Sequence, residues 1–313
     1  MWMEMKKLLS AIIILALFVG AYRMFEYVQA DELTAQCHYQ IGKFKLYSLC
    51  DGHIDFPLKN IMKDDSNFDH PYLHPAEHET MQVPINIFLL DFDDQKLLVD
   101  VGLAGMFHMQ TGKLPQALQA AGYQADQITG ILITHFHLDH VAGLLHADGS
   151  KAFAHATLYV SQAEADYWTI DQAVQHHAET VAFMQKVFSM YPVHKFQDDE
   201  KLFDGVSVFS SAGHTDGHSG FLCDAGKDKI LILGDIMQIH QIKFSHPKIS
   251  ILDDSDSQKA IAVRLKILEQ VAVNHWIVAG VHLTSPGVGT VTKAVDWTSI
   301  DPSYTWNSLH PTC

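Results

Sequence analysis

The 313-residue chain has few cysteines, and their arrangement excludes several kinds of site. Cys37, Cys50, Cys223 and Cys313 are too few and too scattered for a disulfide scaffold. The absence of a C-x-x-C pair argues against a zinc knuckle and a dithiol redox motif. Cys37 and Cys50 flank a strand-like stretch, so both a disulfide between them and two buried thiols fit the sequence. No predicted function depends on these cysteines.

Positive charge is also scarce, which limits the partners of the chain. Only 21 Lys and Arg stand against 36 acidic residues, for a formal net charge of −15. A chain of this charge repels phosphate backbones and anionic lipid head groups, so we expect no nucleic-acid partner. Apolar residues make up 48% and charged residues 18%, which favours a globular protein over a disordered or coiled-coil chain. The 21 histidines are as numerous as Lys and Arg together, and histidine is the commonest metal ligand.

The N-terminal apolar run is short for a membrane-spanning helix. Residues 8–21 follow Lys6 and Lys7 and number fourteen, whereas a spanning helix needs about 18 to 20 apolar residues. We interpret residues 1–30 as a signal peptide or an N-terminal anchor. The expected protein is exported, periplasmic or secreted, or else held at the membrane by residues 8–21. Residues 31–313 are predicted to form a single domain.

Strand and helix patterns alternate along this domain. A strand at 43–49 is predicted to end at Asp51-Gly52, and residues 57–82 are predicted to form a surface loop. Ser161 and Glu164 have the spacing of a capping box. The alternation indicates mixed sheet covered by helices, an α/β (α+β) layered fold. Other strands are predicted at 85–92, 96–101, 130–134, 157–160, 206–210, 220–223, 229–233 and 276–279, and helices at 114–121, 161–168, 175–190 and 257–273.

A segment rich in His and Asp follows the predicted strand at 130–134. It places His135, His137, Asp139 and His140 within six positions. Side chains two apart on an extended chain share a face, so His135 and His137 point the same way, and the other two follow at a turn. Imidazole and carboxylate ligands suit borderline cations such as zinc and can leave a position for water. The spacing therefore predicts a metal site, and four such ligands in six positions suit two ions.

This segment resembles the H-x-H-x-D-H signature of the metallo-β-lactamase superfamily, and further segments occur in the order of that superfamily. They are 98–102 (LVDVG), 213–219 (GHTDGHS), 233–235 (LGD) and 280–282 (GVH). The resemblance implies an αββα sandwich of two mixed sheets flanked by helices. It also implies two divalent metal ions: the first held by His135, His137 and His214, the second held by Asp139, His140 and His282, and both bridged by Asp235.

The same resemblance implies roles for residues around these ligands. Asp100 would orient a ligand histidine, and His218 would support the site without binding metal. Leu138 and Asp216 stand where the family often has proline, but neither position supplies a ligand. Zn²⁺ is the default metal, with Mn, Fe or Co as alternatives.

The implied reaction is hydrolysis by a hydroxide held between the two ions. Asp139 and Asp235 are the expected catalytic carboxylates, with Asp139 giving a proton to the leaving oxygen. Asp235 separates the chain from the zinc β-lactamases, which generally lack this carboxylate. His137 separates it from flavodiiron proteins, which have Glu there.

Segments 46–52, 112–115 and 278–287 are similar to the branch that contains methyl parathion hydrolase and the N-acyl homoserine lactonases. This branch implies opening of a lactone or ester, above all an N-acyl homoserine lactone (quorum quenching), and a possible homodimer. The alternatives are an organophosphate triester, then a glyoxalase II-like thioester, and, outside enzymes, a metal-binding protein without catalysis. Candidates for an apolar substrate pocket are Phe136, Met106, Phe107, Trp168 and Leu283, and packing in the core is the alternative for each of them. His240 and His246 are further candidates for the pocket lining.

Overall fold

A computed structural model describes residues 38–60, 79–106, 110–168, 178–294 and 302–311. The predicted signal peptide or anchor, Cys37 and most of the predicted loop at 57–82 lie outside the described residues. The Cys37–Cys50 disulfide therefore stays a prediction. Within the described ranges, no helix is both long enough and apolar enough to cross a membrane.

Two seven-stranded mixed sheets form the centre of the fold. The strands of the first sheet are β1 Tyr39–Ile41, β2 Phe44–Pro57, β3 Thr80–Phe92, β4 Gln95–Val99, β5 Gly130–Leu132, β6 Thr157–Ser161 and β7 Val193–Phe196. Those of the second are β8 Lys201–Phe203, β9 Val206–Ser210, β10 Ser219–Asp224, β11 Lys229–Leu233, β12 Ile277–Gly280, β13 Val288–Lys293 and β14 Tyr304–Ser308. Both sheets keep chain order; the first is parallel from β4 to β7, and the second pairs only β11 and β12 in parallel.

Helices cover the outer faces of both sheets. The described α-helices are α1 Leu114–Ala120, α2 Leu138–Val141, α3 Gln162–Tyr167, α4 Ala178–Met190, α5 His240–Lys243 and α6 Ser257–Asn274, of which α2 and α5 have four residues each. Leu118 of α1 and Val187 of α4 pack on the first sheet. Ile267 of α6 packs on the second sheet, on the opposite side of the molecule.

The inner faces of the two sheets share one core. Phe88 of β3 and Phe221 of β10, from opposite sheets, are fully buried in the same apolar cluster. Strands such as β11 are therefore covered on both faces, which explains their continuous apolar sequence. The αββα sandwich is confirmed.

The prediction that β2 ends at Asp51-Gly52 is wrong. The strand continues to Pro57 through a bulge between Cys50 and Gly52, and Gly52 adopts a φ of +135°. The buried Asp51 carboxylate accepts backbone N–H groups of Leu103 and Leu114 at 3.0 and 3.1 Å. Gly52 therefore lies in a β-bulge and Asp51 binds loop backbone, rather than the two residues forming a turn. The strand continues because its partner β3 extends further than its apolar pattern indicates.

The predicted capping box is half present. Ser161 Oγ accepts the backbone N–H of Glu164 at 3.4 Å and caps α3. The Glu164 carboxylate instead turns into the protein, where buried N–H and O–H groups offer it hydrogen bonds. The sequence did not predict the strands β1, β7, β8, β13 and β14, because most are short or carry mixed polar patterns whose conformation packing decides.

Candidate metal centre

All seven predicted ligands lie at one edge of the sandwich, where several strands end. His135 follows β5, Asp235 follows β11 and His282 follows β12. His137 precedes α2, whose residues include Asp139 and His140, and His214 lies in the loop between β9 and β10. The ends of parallel strands converge at one edge of a sheet, so loops from both sheets meet here.

The first group contains His135, His137, His214 and Asp235. The Nδ1 atom of His137 lies 2.9 Å from His135 Nε2 and 3.1 Å from His214 Nε2. Asp235 Oδ2 lies 3.8 Å from His135 Nε2 and 3.5 Å from His214 Nε2. Ligands around one tetrahedral zinc ion lie roughly 3.4 Å apart, so this spacing fits a single cation.

The second group contains Asp139, His140, His282 and again Asp235. Asp139 Oδ2 lies 3.5 Å from His140 Nε2 and 3.3 Å from His282 Nε2. Asp235 Oδ1 lies 3.0 Å from His140 Nε2 and 3.2 Å from His282 Nε2. Among the described side chains, these two Nε2 atoms and Asp235 Oδ1 are buried without a hydrogen-bond partner. Buried polar atoms without partners are costly, and a cation between them would satisfy all three.

Asp235 is therefore the residue that the two groups share. One carboxylate oxygen faces the first group and the other faces the second. His218 Nε2 accepts the backbone N–H of Asp235 at 2.9 Å, and Gln238 donates a hydrogen bond to its Oδ2 atom. His218 thus holds Asp235 from behind, the supporting place that the sequence predicted for it.

Outward contacts fix the tautomer of three candidate ligands. The Nδ1–H of His140 donates to Asp100 Oδ2 at 2.8 Å, and that of His282 donates to the Pro84 carbonyl at 2.7 Å. The Nδ1 atom of His214 lies 3.0 Å from Asp254 Oδ1. With the proton at Nδ1, each Nε2 lone pair is left for a cation. The Asp100 contact agrees with its predicted role, whereas Asp254 was missed because no motif marks it.

Burial and the shared carboxylates set the charge of the site. Burial lowers the pKa of His137 to about 3 and also lowers the pKa of His135, so both are neutral at neutral pH. Burial opposes charge on His282 too, but Asp235 and Asp139 outweigh it and raise its pKa to about 10. The neighbouring histidines hold the pKa of Asp139 below its usual range despite burial. The two carboxylates of the second group thus favour protons on His140 and His282, and a divalent cation bound there would replace those protons.

Glu164 joins the two loops that carry the histidines of the first group. Its Oε1 atom accepts the backbone N–H of Phe136 at 3.0 Å, and its Oε2 atom accepts Thr215 Oγ1 at 2.6 Å and the N–H of Gly217 at 3.1 Å. Burial raises the pKa of Glu164 while these donors oppose the rise. The sequence indicated Glu164 only as a helix cap.

A cavity of about 250 Å³ opens onto the candidate ligands. Its apolar part is formed by Phe56, Val83 and Ile239, and its polar part by Gln238 and Asp253. His137, Asp139 and His282 form its floor.

None of the apolar pocket candidates that the structure describes lines this cavity, and core packing, the alternative given for them, is what the structure shows for most of them. Phe136 and Trp168 pack in the core between the first sheet and its helices, because Phe136 alternates with two histidines and points away from them. Leu283 is buried under α6, Met106 lines a separate cavity of about 650 Å³, and Phe107 lies outside the described residues.

The two further histidines do not line the cavity either. His240 is buried, donates its Nδ1–H to the His282 carbonyl at 3.1 Å and accepts from Thr284 Oγ1 at 2.8 Å. It supports the loop that carries His282. His246 lies after α5 and accepts the backbone N–H of Ile249 through its carbonyl.

Comparisons with known proteins agree with this geometry. Residues 80–282 match the family described as the metallo-beta-lactamase superfamily. A curated N-acyl homoserine lactonase from Bacillus sp. is 24% identical over 196 residues, which cover 56% of this chain and 72% of the relative.

Solved structures show the same fold over most of the chain. A crystal structure of AbOPH, a hydrolase in the beta lactamase superfamily, is 30% identical with a TM-score of 0.73 and covers 88% of this chain and 97% of its own. AidC, a dizinc quorum-quenching lactonase in complex with a product, is 24% identical with a TM-score of 0.75. The match covers 87% of this chain and 97% of the AidC chain. The family match, the sandwich and the clustered His and Asp side chains together show that this chain belongs to the metallo-beta-lactamase superfamily and is a metal-dependent hydrolase.

Proposed function

We propose that the protein is a dinuclear lactonase that opens N-acyl homoserine lactones. The observation that carries this proposal is the pair of His and Asp groups sharing Asp235, placed at the floor of a cavity with an apolar wall. The similarity to a curated N-acyl homoserine lactonase supports the substrate class. Zn²⁺ is the proposed metal because the site mixes imidazole and carboxylate ligands.

The described donors fit two cations. The first cation would be held by His135, His137 and His214, and the second would be held by Asp139, His140 and His282. Asp235 would contact both cations. Divalent ions bound there would lower the pKa of water from about 15.7 to near 7 and polarise the bond to be cleaved. Proton transfer and substrate binding are then carried out by side chains of the protein.

Asp139 is placed to move the proton. Because its pKa is held below the usual range, it is a carboxylate at neutral pH and cannot be the proton donor at the start of the reaction. We therefore propose that Asp139 accepts a proton from the attacking water and then passes it to the ring oxygen as the carbon–oxygen ester bond breaks. The water oxygen ends in the new carboxylate of the product, the leaving oxygen becomes a hydroxyl with the proton passed by Asp139, and the second proton of the water is released to solvent.

The cavity wall would bind the acyl chain. Phe56, Val83 and Ile239 offer apolar surface beside Asp139, so a short acyl chain can lie against them while the lactone carbonyl reaches the floor. Ile239 has a φ of +54°, a conformation that β-branched residues rarely adopt. Such strain is often found where a side chain is held at a binding site.

The test compares three substrates on one metal-quantified sample: an N-acyl homoserine lactone, a phosphotriester and a thioester. We expect the lactone to have the highest kcat/KM, with about two metal ions per chain. In samples shown by metal analysis to hold both ions, Asp139→Asn should lower kcat by about 10²-fold or more, because proton transfer is lost. Phe56→Ala should raise KM for an N-acyl homoserine lactone more than it lowers kcat, because the acyl chain loses apolar contact.

Each contrary result rejects a different part of the proposal. Preferred turnover of the phosphotriester or the thioester would leave the metal centre intact and reject the lactone. A protein without bound metal, or with one ion per chain, would reject the dinuclear centre. Unchanged turnover by Asp139→Asn would reject proton transfer by Asp139.

A further inference from the structure

Behind the metal centre, a buried ionic network contacts His214 from the side opposite the cavity. Asp254 precedes α6 and Arg264 lies within it, and the side chains of both are fully buried. Asp254 Oδ1 lies 3.0 Å from His214 Nδ1, and Asp254 Oδ2 lies 3.7 Å from Arg264 Nη2. Asp254 Oδ2 also accepts the backbone N–H of Ile251 at 3.3 Å.

Arg264 connects this carboxylate with the backbone next to Asp235. Its Nε–H donates to the Ile236 carbonyl at 2.7 Å, and Ile236 directly follows Asp235. Its Nη1 atom donates to the carbonyls of Pro247 and Ile249 at 2.8 and 3.0 Å. The Arg264 guanidinium thus contacts both the backbone beside Asp235 and the Asp254 carboxylate that pairs with His214. A planar fork of donors can make these contacts together, and a lysine cannot.

Backbone contacts hold the His214 loop on the same helix start. The N–H of Ser255 donates to the His214 carbonyl at 2.9 Å, and that of Asp256 donates to the Gly213 carbonyl at 3.0 Å. Gly213 has a φ of +144°, and a Cβ there would lie 2.5 Å from the backbone nitrogen of Ala260. The loop can therefore approach α6 only with glycine at this position.

We propose that Asp254 and Arg264 are positioning residues for metal binding, which orient His214 and Asp235 relative to each other. Asp254 keeps the proton of His214 on Nδ1 and so directs its Nε2 atom toward the first group. Arg264 holds Asp254 in place and links it to the turn that carries Asp235. This inference rests on the proposed metal centre. The role that it assigns is in metal binding, and neither residue takes part in the reaction itself.

The experiment measures metal binding rather than turnover. Zn²⁺ affinity is determined by chelator competition, and the visible absorption of the Co²⁺-loaded protein is recorded, for the wild type, Asp254→Asn and Arg264→Lys. We expect Asp254→Asn to weaken binding of one of the two ions by about 10- to 100-fold, as is common when a partner of a ligand is changed. Arg264→Lys should shift affinity and spectrum in the same direction by less.

Asp256→Asn is the matched control. Asp256 lies two residues from Asp254, carries the same charge and caps α6 by accepting the N–H of Lys259 at 3.0 Å, without contacting His214 through its side chain. Its affinity and spectrum should equal those of the wild type. Melting temperatures of all metal-free proteins are measured, and binding is compared only well below them.

The outcomes separate this inference from the proposed function. A wild-type protein that binds no metal rejects the proposed centre itself. A wild type that binds two ions, with Asp254→Asn and Arg264→Lys equal to it in affinity and spectrum, overturns the positioning role. An equal loss in Asp256→Asn also overturns it, because the effect would then come from the start of α6 and not from the contact with His214.

Discussion

At the residue scale, the interior behind the metal centre contains a positive charge without a direct partner. The side chain of Lys243 is fully buried, and its Nζ atom has no hydrogen-bond partner among the described residues. Burial and the nearby Arg264 lower its pKa to about 7, although Asp254 acts in the opposite direction. A buried charge of this kind costs stability that an apolar side chain would not.

We therefore predict that Lys243→Met stabilises the protein by about 1–3 kcal/mol at pH 6.5. Between pH 7 and 10.5 the unfolded chain keeps the lysine proton and the folded protein does not, so the lysine's unfavourable contribution shrinks as pH rises. The gain from Lys243→Met should accordingly be smaller at pH 9. Urea unfolding at both pH values checks this, with the exposed Lys266→Met as control. A gain that grows with pH would contradict the prediction.

At the element scale, α3 acts as a clamp between two loops. Glu164 in this helix receives four hydrogen bonds: from the backbone of the 135–140 segment, from the 213–219 segment on both a side chain and the backbone, and from the indole of Trp168 at 2.8 Å. The two segments come from different sheets. Their relative position thus depends on one carboxylate that is not itself a candidate ligand.

Glu164→Gln is predicted to destabilise the protein by about 2–4 kcal/mol, because the new amide group faces donors and leaves buried hydrogen bonds unmade. Zn²⁺ affinity should fall as well, since the first group loses its common support. Thermal unfolding and chelator competition check both effects. The control is Asp166→Asn on the exposed side of the same helix, where little change is expected. If Glu164→Gln is as stable as the wild type, the hydrogen bonds of Glu164 do not contribute to the stability of the fold.

At the scale of the whole molecule, the metal centre connects the two sheets. His135 follows a strand of the first sheet, while Asp235 and His282 follow strands of the second. Ions held between them would cross-link the halves of the sandwich. The ions would also replace the protons that the carboxylates retain on His282 and His140.

Removal of the metal ions with a chelator is therefore predicted to lower the melting temperature by several degrees. Metal affinity should rise with pH through the neutral range, because the raised pKa values of His140 and His282 make binding release protons. Titration calorimetry in buffers of different ionisation enthalpy measures that release. Affinity that does not change between pH 6 and 8 would contradict this assignment of charge.

Export of the protein and its assembly into a homodimer are also properties of the whole molecule, and both remain predictions. N-terminal sequencing of the mature protein would locate any cleavage near Asp31. Light scattering would give the number of chains in the assembly.

The sequence predicted the fold class, which the structure confirms, and a set of candidate ligands, which lie together in the structure. The H-x-H-x-D-H segment is marked by its short spacing, whereas His214, Asp235 and His282 were assigned from the resemblance to the metallo-β-lactamase superfamily. Buried strands are recognisable by their apolar runs. The surroundings of the site depended on the tertiary structure. Asp254 lies 40 residues from His214, Arg264 lies 28 residues from Ile236, and Glu164 lies 28 to 53 residues from the loop groups it binds, so no local pattern marks these contacts. The residues that line the cavity could not be chosen from the sequence for the same reason. Apolar residues have the same appearance in a core and in a pocket, and which one they form depends on the elements that pack against them.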